Sequence, residues 1–324
     1  MNGPRIVSFL PAATEMVFAL GLGDQLVGVS HECDFPPAAK TRPVVVRPAL
    51  PLEKMTLREI DIAVAERIGR GQNLYHVDER RLQELKPDLI LSQDLCRVCA
   101  PSGNDLTVAV RSLDPEPEIL WMSPHTLEDI FQNIRDLGAA TGRLDEAEEF
   151  VKSSRGRLRL GAPASRRPIA ERQELAGGTP AVPGTSRRPK VFCMEWADPI
   201  YCAGHWVPEM VEFAGGIDGL ARRGADSVRI TWDDVRNYAP EVLVLSPCGF
   251  DLAGALKQLP LLQELPGWME LPAVRAGKVF CVDANAYFAR PGPRVVDGTE
   301  LLAHLLHPET FDWTGPVNAF QRVA

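Results

Sequence analysis

An internal repeat is the feature that most constrains the fold of this chain. The tripeptide Glu-Met-Val occurs at residues 15–17 and again at residues 209–211, and in each case a glycine stands six residues after the glutamate. Each copy follows a short apolar segment typical of a buried strand, residues 5–9 in the first half and 190–194 in the second. Two copies of one strand-and-helix unit in the same order predict two related α/β lobes.

A second pair of matched segments follows the first. Residues 85–92 read Leu-Lys-Pro-Asp-Leu-Ile-Leu-Ser, and residues 238–245 read Tyr-Ala-Pro-Glu-Val-Leu-Val-Leu. Each indicates the end of a helix, then proline and an acid, then a buried strand. Between the two halves, residues 143–160 predict one long helix, with acidic residues in its first turns and arginines in its last turns, as suits the helix dipole. The predicted fold class is α/β, with two lobes of mainly parallel sheet joined by one connecting helix.

These segments predict the division of the chain. Residues 1–142 form an N-terminal lobe, 143–160 the connecting helix, and 190–324 a C-terminal lobe. Between the helix and the second lobe, residues 161–189 are rich in Gly, Pro, Ala and Arg, which predicts a flexible insertion. The first lobe is longer than the second, mostly between residues 30 and 77, and extra length after a strand predicts a site or a lid.

The composition bounds the class of protein. The chain has 324 residues, enough for two cores, and its formal net charge of -8 argues against nucleic acid as a partner. No stretch approaches the roughly 20 apolar residues of a membrane span. No signal peptide precedes the first strand, so we expect a cytoplasmic protein, and a periplasmic or extracellular one only if a leader was removed. Seven cysteines, an odd count, agree with a reducing compartment.

Unusual residues gather directly after the predicted strands. Parallel sheets bind ligands at the carboxyl ends of their strands, so these positions are candidates for a ligand site. In the first lobe they are Pro11, in the loop before the first helix, and His31, Asp34 and Phe35. In the second lobe they are Trp196, Tyr201, His205, Trp206, Phe250 and Tyr287. Aromatic walls with a few polar groups predict a cleft between the lobes that holds a large flat ligand.

Four of the polar residues offer a second hypothesis. His31 and Cys33, together with Cys96 and Cys99, are soft ligands of the kind that hold zinc, and iron is also possible. The long separation between Cys33 and Cys96 leaves buried packing thiols and redox thiolates as alternatives. His205 could also reach a cobalt or iron atom as an axial ligand, or could simply cap or pack against the helix.

Several segments resemble the opening and core motifs of the cobalamin-binding protein family. They are Ser-Phe-Leu-Pro-Ala-Ala-Thr-Glu at 8–15, Val-Gly-Val-Ser at 27–30, Cys-Asp-Phe-Pro-Pro at 33–37, Leu-Lys-Pro-Asp-Leu-Ile at 85–90 and Phe-Ala-Gly-Gly at 213–216. That family comprises substrate-binding components of ABC importers, in the helix-linked class that also contains haem and siderophore binders. The resemblance implies a helix-linked periplasmic-binding-protein-like fold, a transport role and a ligand held between the lobes.

The sequence departs from the family in two respects. The resemblance implies one acidic residue in each lobe for docking to an ABC permease, and those positions fall on Arg80 and Asp233. Asp233 matches, whereas Arg80 reverses the charge and leaves the permease partner open. The absence of a leader then points to a cytosolic branch of the family.

The leading functional hypothesis is non-catalytic binding of cobalamin or a related corrinoid between the two lobes. The sequence contains no Ser-His-Asp order, phosphate-binding loop or paired catalytic carboxylates, so we do not expect an enzyme. One alternative is a metal-binding protein, a metal chaperone or a metal-dependent enzyme that uses His31, Cys33, Cys96 and Cys99. The other is an iron-siderophore or haem binder.

Overall fold

The computed structural model describes residues 3–93, 110, 113–161 and 188–324. The chain divides into two compact units. Unit 1 comprises Met1–Lys152 and Arg290–Pro293, and unit 2 comprises Ser153–Ala289 and Arg294–Ala324. Both units have strands that alternate with helices, so the predicted α/β fold class with two lobes is confirmed.

Unit 1 is built on a mostly parallel sheet. Its strands are β1 (Ile6–Ser8), β2 (Leu26–Ser30), β3 (Val44–Pro48), β4 (Tyr75–Val77), β5 (Leu89–Ser92) and β6 (Glu118–Trp121). In the described part of the chain they lie in the order β4-β3-β2-β1-β5-β6, and of these β4 runs antiparallel to its neighbour. The helices are α1 (Pro11–Ala19), α2 (Leu57–Gly69), α3 (Glu79–Leu85) and α4 (Leu127–Thr141).

Two details of unit 1 differ from the sequence expectations. The stretch between residues 30 and 77, predicted to form a site or lid, contains regular structure, since β3 and β4 extend the sheet there and α2 lies between them. Helix α2 is well defined locally, because Thr56 and Glu59 form a reciprocal capping box at its start. Pro11 was predicted to lie in a loop, but it occupies the first turn of α1, where its fixed φ and missing N–H carry no penalty.

Helix α5 (Leu144–Gly161) is the predicted connecting helix, with bounds one residue later than the sequence indicated. The boundary between the compact units falls inside it, between Lys152 and Ser153, whereas the sequence placed the end of the first lobe before the helix. Gly142 ends α4 in the left-handed conformation, at φ 70°. The predicted insertion, residues 161–189, lies outside the described residues except at its two ends. None of the helices described here is long and apolar enough to cross a membrane.

Unit 2 has a sheet of mixed direction. Its strands are β7 (Lys190–Ala197), β8 (Ile200–Cys202), β9 (Ile217–Asp218), β10 (Val242–Leu245), β11 (Val279–Val282) and β12 (Phe320–Arg322). The order is β12-β11-β10-β7-β8, with β9 also paired to β7, and β8 and β12 run antiparallel to their neighbours. The helices are α6 (Val207–Phe213), α7 (Trp232–Tyr238), α8 (Leu252–Gln263), α9 (Pro272–Arg275), α10 (Ala284–Tyr287) and α11 (Val295–Leu306).

The first pair of repeated segments has the same local geometry in both units. Gly21 follows α1 at φ 71°, and Gly215 follows α6 at φ 86°, a conformation that favours glycine. In each unit the residue after this glycine donates its N–H to the carbonyl of the valine in the repeated tripeptide, at 2.9 Å in unit 1 and 2.8 Å in unit 2. The repeat therefore encodes one helix end twice, and its glycines are required by the backbone.

The second pair of repeated segments makes the same hydrogen bond to the neighbouring strand in both units. The backbone N–H of Arg5 donates to a carboxylate oxygen of Asp88 at 2.7 Å, and the N–H of Lys190 donates to Glu241 at 3.0 Å. The acid after the proline thus satisfies an N–H at the beginning of the neighbouring parallel strand. Equivalent strands also pair alike, β1 with β5 and β7 with β10. The duplication predicted from the sequence is confirmed at this level.

Candidate functional site

The first group of candidate residues lies where β1 and β2 end in unit 1. His31 follows β2 directly, and its N–H donates to the carbonyl of Val46 at 3.0 Å. Its imidazole ring lies 6.4 Å from the ring of Tyr75, and its Nε2 lies 3.7 Å from the carboxylate of Glu32. Burial lowers the pKa of His31 below its ordinary value, although Glu32 opposes this shift. The imidazole is therefore neutral near pH 7 and can offer a nitrogen lone pair.

Arg290 occupies the same edge of unit 1, and sequence reasoning missed it. Its Nη1 lies 2.5 Å from Asp34 and 3.9 Å from Glu15, and its Nη2 donates to the carbonyl of Glu32 at 3.0 Å. The Arg290 side chain is only 9% exposed. Asp34, which the sequence predicted to contact a ligand, thus forms an ion pair with Arg290 within unit 1. No local signal marked Arg290, because it lies more than 250 positions from its partners in the sequence.

The two remaining aromatic and cyclic candidates of unit 1 differ in exposure. Phe35 is 43% exposed and lies in the segment that follows β2. Pro11 is half-buried at the start of α1. A Cβ atom added to Gly292 would lie 3.3 Å from Ala12, so the segment Arg290–Pro293 packs closely on the first turn of this helix. Phe35 is therefore the better placed of the two to contact a ligand.

Cys33 behaves as a packing thiol in the described structure. It is buried, and the hydroxyl of Thr14 donates to its sulfur at 3.1 Å. Burial raises the pKa of the Cys33 thiol to about 11, so it is protonated at neutral pH. A zinc ligand must be the thiolate. Cys96 and Cys99, the other predicted thiol ligands, lie outside the described residues.

The second group of candidates lies where the strands of unit 2 end. The ring of Trp196 lies 5.7 Å from that of Phe250, and its indole N–H donates to the carbonyl of Asp198 at 3.1 Å. On β8, the ring of Tyr201 lies 5.7 Å beneath the guanidinium of Arg229, a cation–π contact. The sequence placed Trp196 after the strand, but β7 continues to Ala197 because it pairs there with β8.

His205 is held in an uncommon conformation at this edge of unit 2. Its φ is 54°, in the left-handed region that a non-glycine residue seldom adopts. Its N–H donates to Ala225 at 2.6 Å, its carbonyl accepts from Gly224 at 2.9 Å, and its Nε2 lies 3.3 Å from Asp226. Such strain persists where the surroundings over-determine it, which is common at functional sites.

The contacts of His205 belong to a longer loop, residues 219–230, that sequence reasoning did not single out. Arg223 in this loop lies 2.5 Å from Glu209 of α6. Ser227 donates its hydroxyl to the carboxylate of Glu195 at 2.6 Å, while burial raises the pKa of Glu195 above its ordinary value. These partners are brought together by the tertiary fold, so no spacing in the sequence could have revealed them.

Two predicted wall residues pack inside unit 2 instead. Trp206 is 6% exposed, and its indole N–H donates to the carbonyl of Phe288 at 2.8 Å. Tyr287 is buried, and its ring meets that of Trp313 edge to face at 5.7 Å. Both rings are buried, so these residues support the edge of unit 2 from the core and expose little surface there.

The two positions that the sequence assigned to docking are exposed on helices. Arg80 lies on α3, and its Nε is 3.1 Å from the carboxylate of Glu84. Asp233 lies on α7, 3.3 Å from Arg236. Both are local pairs on helix surfaces, which contribute little to stability. The side chains are therefore available for contact with a partner.

Comparison with known proteins extends over nearly the whole chain. The sequence model of a family described as periplasmic binding protein matches residues 6–286. The chain is 24% identical over 312 residues to an uncharacterized ABC transporter substrate-binding lipoprotein of Bacillus subtilis, covering 95% of this chain and 81% of that protein. It is 25% identical over 296 residues to a vitamin B12-binding protein of Vibrio parahaemolyticus, covering 90% of this chain and 86% of the relative.

Solved structures share the fold. A periplasmic heme binding protein from Pseudomonas aeruginosa superposes with a TM-score of 0.65 at 21% sequence identity, covering 94% of this chain and 93% of the other. At this level of identity the likeness concerns the fold alone.

Proposed function

The chain belongs to the periplasmic binding protein family, whose members are non-catalytic substrate-binding proteins of ABC transporters, and we propose that its own ligand is cobalamin or a related corrinoid. The relatives named vitamin B12-binding protein support this choice of ligand. The observation that carries it is the aromatic pair Trp196 and Phe250, whose rings lie 5.7 Å apart at the strand ends of unit 2.

The edge of unit 2 suits the chemistry of a corrinoid. A corrin macrocycle has broad apolar faces that pack against aromatic rings, and Trp196 and Phe250 supply such rings. Its rim carries amides, for which the carboxylate of Glu195 and the carbonyl of Asp198 are acceptors. Cobalamin also carries a phosphodiester, and the guanidinium of Arg229 above the ring of Tyr201 can pair with it.

In unit 1 the exposed ring of Phe35 and the neutral imidazole of His31 support ligand contact at the ends of β1 and β2. A neutral imidazole is the form that coordinates cobalt or iron. Each unit therefore offers residues of the kind that contact a ligand at its own strand ends.

A haem or an iron-siderophore complex is the second candidate, and the geometry of His205 favours it. The imidazole lies 3.3 Å from the carboxylate of Asp226, an arrangement that orients histidine ligands in metal sites. A haem iron would accept such an imidazole as an axial ligand.

The metal-dependent alternative has less support. The thiol of Cys33 is buried and has a pKa of about 11, which disfavours its use as a thiolate ligand. Zinc or iron retained by the purified protein without any corrinoid would favour this alternative over the proposal.

One titration series separates these candidates. The purified protein is titrated with cyanocobalamin, with haemin and with a ferric siderophore, and each is followed by calorimetry and absorption. We expect cyanocobalamin to bind with a Kd of about 1 μM or tighter, which corresponds to roughly -8 kcal/mol. Tight uptake of haem with a shifted Soret band, together with no uptake of cyanocobalamin, would overturn the proposal.

A further inference from the structure

Unit 2 contains a cavity of about 270 Å³ that shares no residue with the candidate ligand site at the strand ends. It is bounded by α5, the end of α6, α11 and the chain that follows α11. Its lining residues are Arg157, Leu158, Phe213, Thr299, Glu300, Ala303, Phe311, Asp312, Trp313 and Thr314. We propose that this cavity is a second binding site, specific for a small organic cation of the alkylammonium class.

The wall formed by the chain after α11 is fixed in place. The N–H of Phe311 donates to the carbonyl of His307 at 3.0 Å, and the carbonyl of Phe311 lies 2.7 Å from Nδ1 of His304. The indole N–H of Trp313 donates to Pro316 at 2.9 Å, and its ring packs edge to face on Tyr287. The cavity is therefore preformed, and a ligand need not order this wall.

The charges around the cavity favour a cation. Arg157 donates to both carboxylate oxygens of Glu300 and to Asp297, at 2.5–2.8 Å. These contacts raise the pKa of Arg157 and use its Nε and Nη2 donors within the protein. Asp312 also lines the cavity, so the carboxylates of Asp297, Glu300 and Asp312 outnumber the one guanidinium of Arg157 there. The excess of negative charge would attract a cation and repel an anion.

The aromatic lining makes the class of cation more specific. Phe213, Phe311 and Trp313 line the cavity, and aromatic faces bind alkylated ammonium groups through their ring quadrupoles. The hydroxyl of Thr299 donates to the carbonyl of Val295 at 2.8 Å, which leaves its oxygen able to accept a hydrogen bond from a ligand hydroxyl. The volume corresponds to roughly nine water molecules at about 30 Å³ each, so the ligand has on the order of nine non-hydrogen atoms.

A pair of probes of equal shape tests the requirement for charge. Choline chloride carries a trimethylammonium group, and 3,3-dimethylbutan-1-ol is its neutral isostere with a tert-butyl group. Each gives one sharp methyl signal whose broadening and shift can be followed by NMR as the full-length protein is added. We expect choline to bind at least about tenfold more tightly than the isostere.

Matched tryptophan variants test the location. Trp313→Leu should remove most of the preference for choline. Trp232→Leu is the control, because Trp232 is also partly exposed in unit 2 and also donates its indole N–H to a proline carbonyl, that of Pro266, at 2.7 Å. It should bind choline like the unchanged protein. Asp312→Asn, at an exposed position, should weaken choline about threefold without affecting the fold, so it serves even if Trp313→Leu unfolds.

Four results would overturn the proposal. Equal binding of choline and its isostere would show an apolar cavity without a preference for charge. An equal loss of choline affinity in Trp313→Leu and Trp232→Leu would place the choline elsewhere. Unchanged choline affinity in both Asp312→Asn and Trp313→Leu would do the same. No binding of choline at tens of millimolar would show that the cavity holds no alkylammonium cation.

Discussion

Nη2 of Arg223 lies 2.5 Å from the carboxylate of Glu209, a side chain that is only 3% exposed. Glu15, its counterpart in the sequence repeat, is 4% exposed and lies 3.9 Å from Nη1 of Arg290. Each unit thus buries the glutamate of the repeated tripeptide beside an arginine. The arginines come from unrelated positions, so the shared requirement is compensation of a buried carboxylate rather than a shared partner sequence.

Replacing Arg223 with alanine should reduce stability. The change leaves Glu209 without this cation, but Arg223 is 62% exposed, so solvent screens the pair and the loss should be about 1–2 kcal/mol. Urea denaturation measures the free energy of unfolding. The neighbouring Arg222→Ala is the control, because Arg222 is exposed and should change stability by no more than about 0.5 kcal/mol. Similar losses in both variants would contradict a specific role for the Glu209 pair.

The repeated glycines allow a matched comparison. Gly21→Ala should lower the free energy of unfolding by about 1–2 kcal/mol, because φ is 71° but no atom lies within 4 Å of the added Cβ. Gly215→Ala should cost more, because its φ is 86° and the new Cβ would lie 2.9 Å from Nε2 of His307. Thermal melts of the two variants give the difference. Equal melting temperatures would mean that His307 moves aside without cost.

Asp218 should make stability depend on pH in the direction opposite to most carboxylates. Burial raises its pKa from the ordinary 3.8 to about 6, although backbone N–H groups of Cys193, Leu220 and Ala221 oppose the shift. The folded state then holds this proton more tightly than the unfolded state. The contribution to stability is full below about pH 4 and is lost as the pH rises through about 6, by up to about 3 kcal/mol.

The Asp218→Asn variant isolates this effect. Asparagine does not titrate, so the free energy of unfolding of the unchanged protein minus that of the variant should fall between pH 4 and pH 7. Urea denaturation at a series of pH values gives this difference. A difference that rises with pH would show that the backbone N–H groups outweigh burial and hold the Asp218 pKa low.

Two tryptophan variants should distinguish a loss of ligand binding from a loss of stability. Trp196→Ala removes a partly exposed ring at the edge of unit 2 and should weaken cyanocobalamin by about 1–3 kcal/mol, roughly tenfold or more, if the proposed function holds. Trp206→Ala removes a buried ring and leaves the carbonyl of Phe288 without its donor, so it should cost about 3–5 kcal/mol of stability. Calorimetric titration and thermal melts of both variants check the pair. Normal binding by a folded Trp196→Ala variant would contradict the placement of the ligand.

The fold could be predicted where a residue that determines the local structure is visible in the sequence. The glycine after each repeated tripeptide is required by a left-handed backbone, and the acid after each proline accepts an N–H from the neighbouring strand, as Asp88 does from Arg5. Strand β3 was missed because its short run of valines lies between prolines and its pairing with β4 joins residues about 30 positions apart.

The candidate site was predicted only in outline. The order of elements predicted His31 and Trp196 near the carboxyl ends of strands, and His31 does follow β2 while Trp196 lies in the last two residues of β7. The same reasoning could not tell that Trp206 is buried whereas Trp196 is partly exposed. Trp206 packs in the core, where it donates to the carbonyl of Phe288, 82 positions away in the sequence. Arg290 and Asp226 carry no local pattern, so tertiary contacts alone reveal their roles.

The return of the chain to unit 1 at Arg290–Pro293 has a consequence for biosynthesis. A ribosome that has released residue 152 must add roughly 140 more before Arg290 emerges, which takes about 7–28 s at about 5–20 residues per second. Until then the nascent first unit lacks the cation that sits beside Glu15 and Asp34. Unit 1 therefore cannot reach its final form in the order of translation, and a fragment that stops at Lys152 omits part of the unit that it is meant to represent.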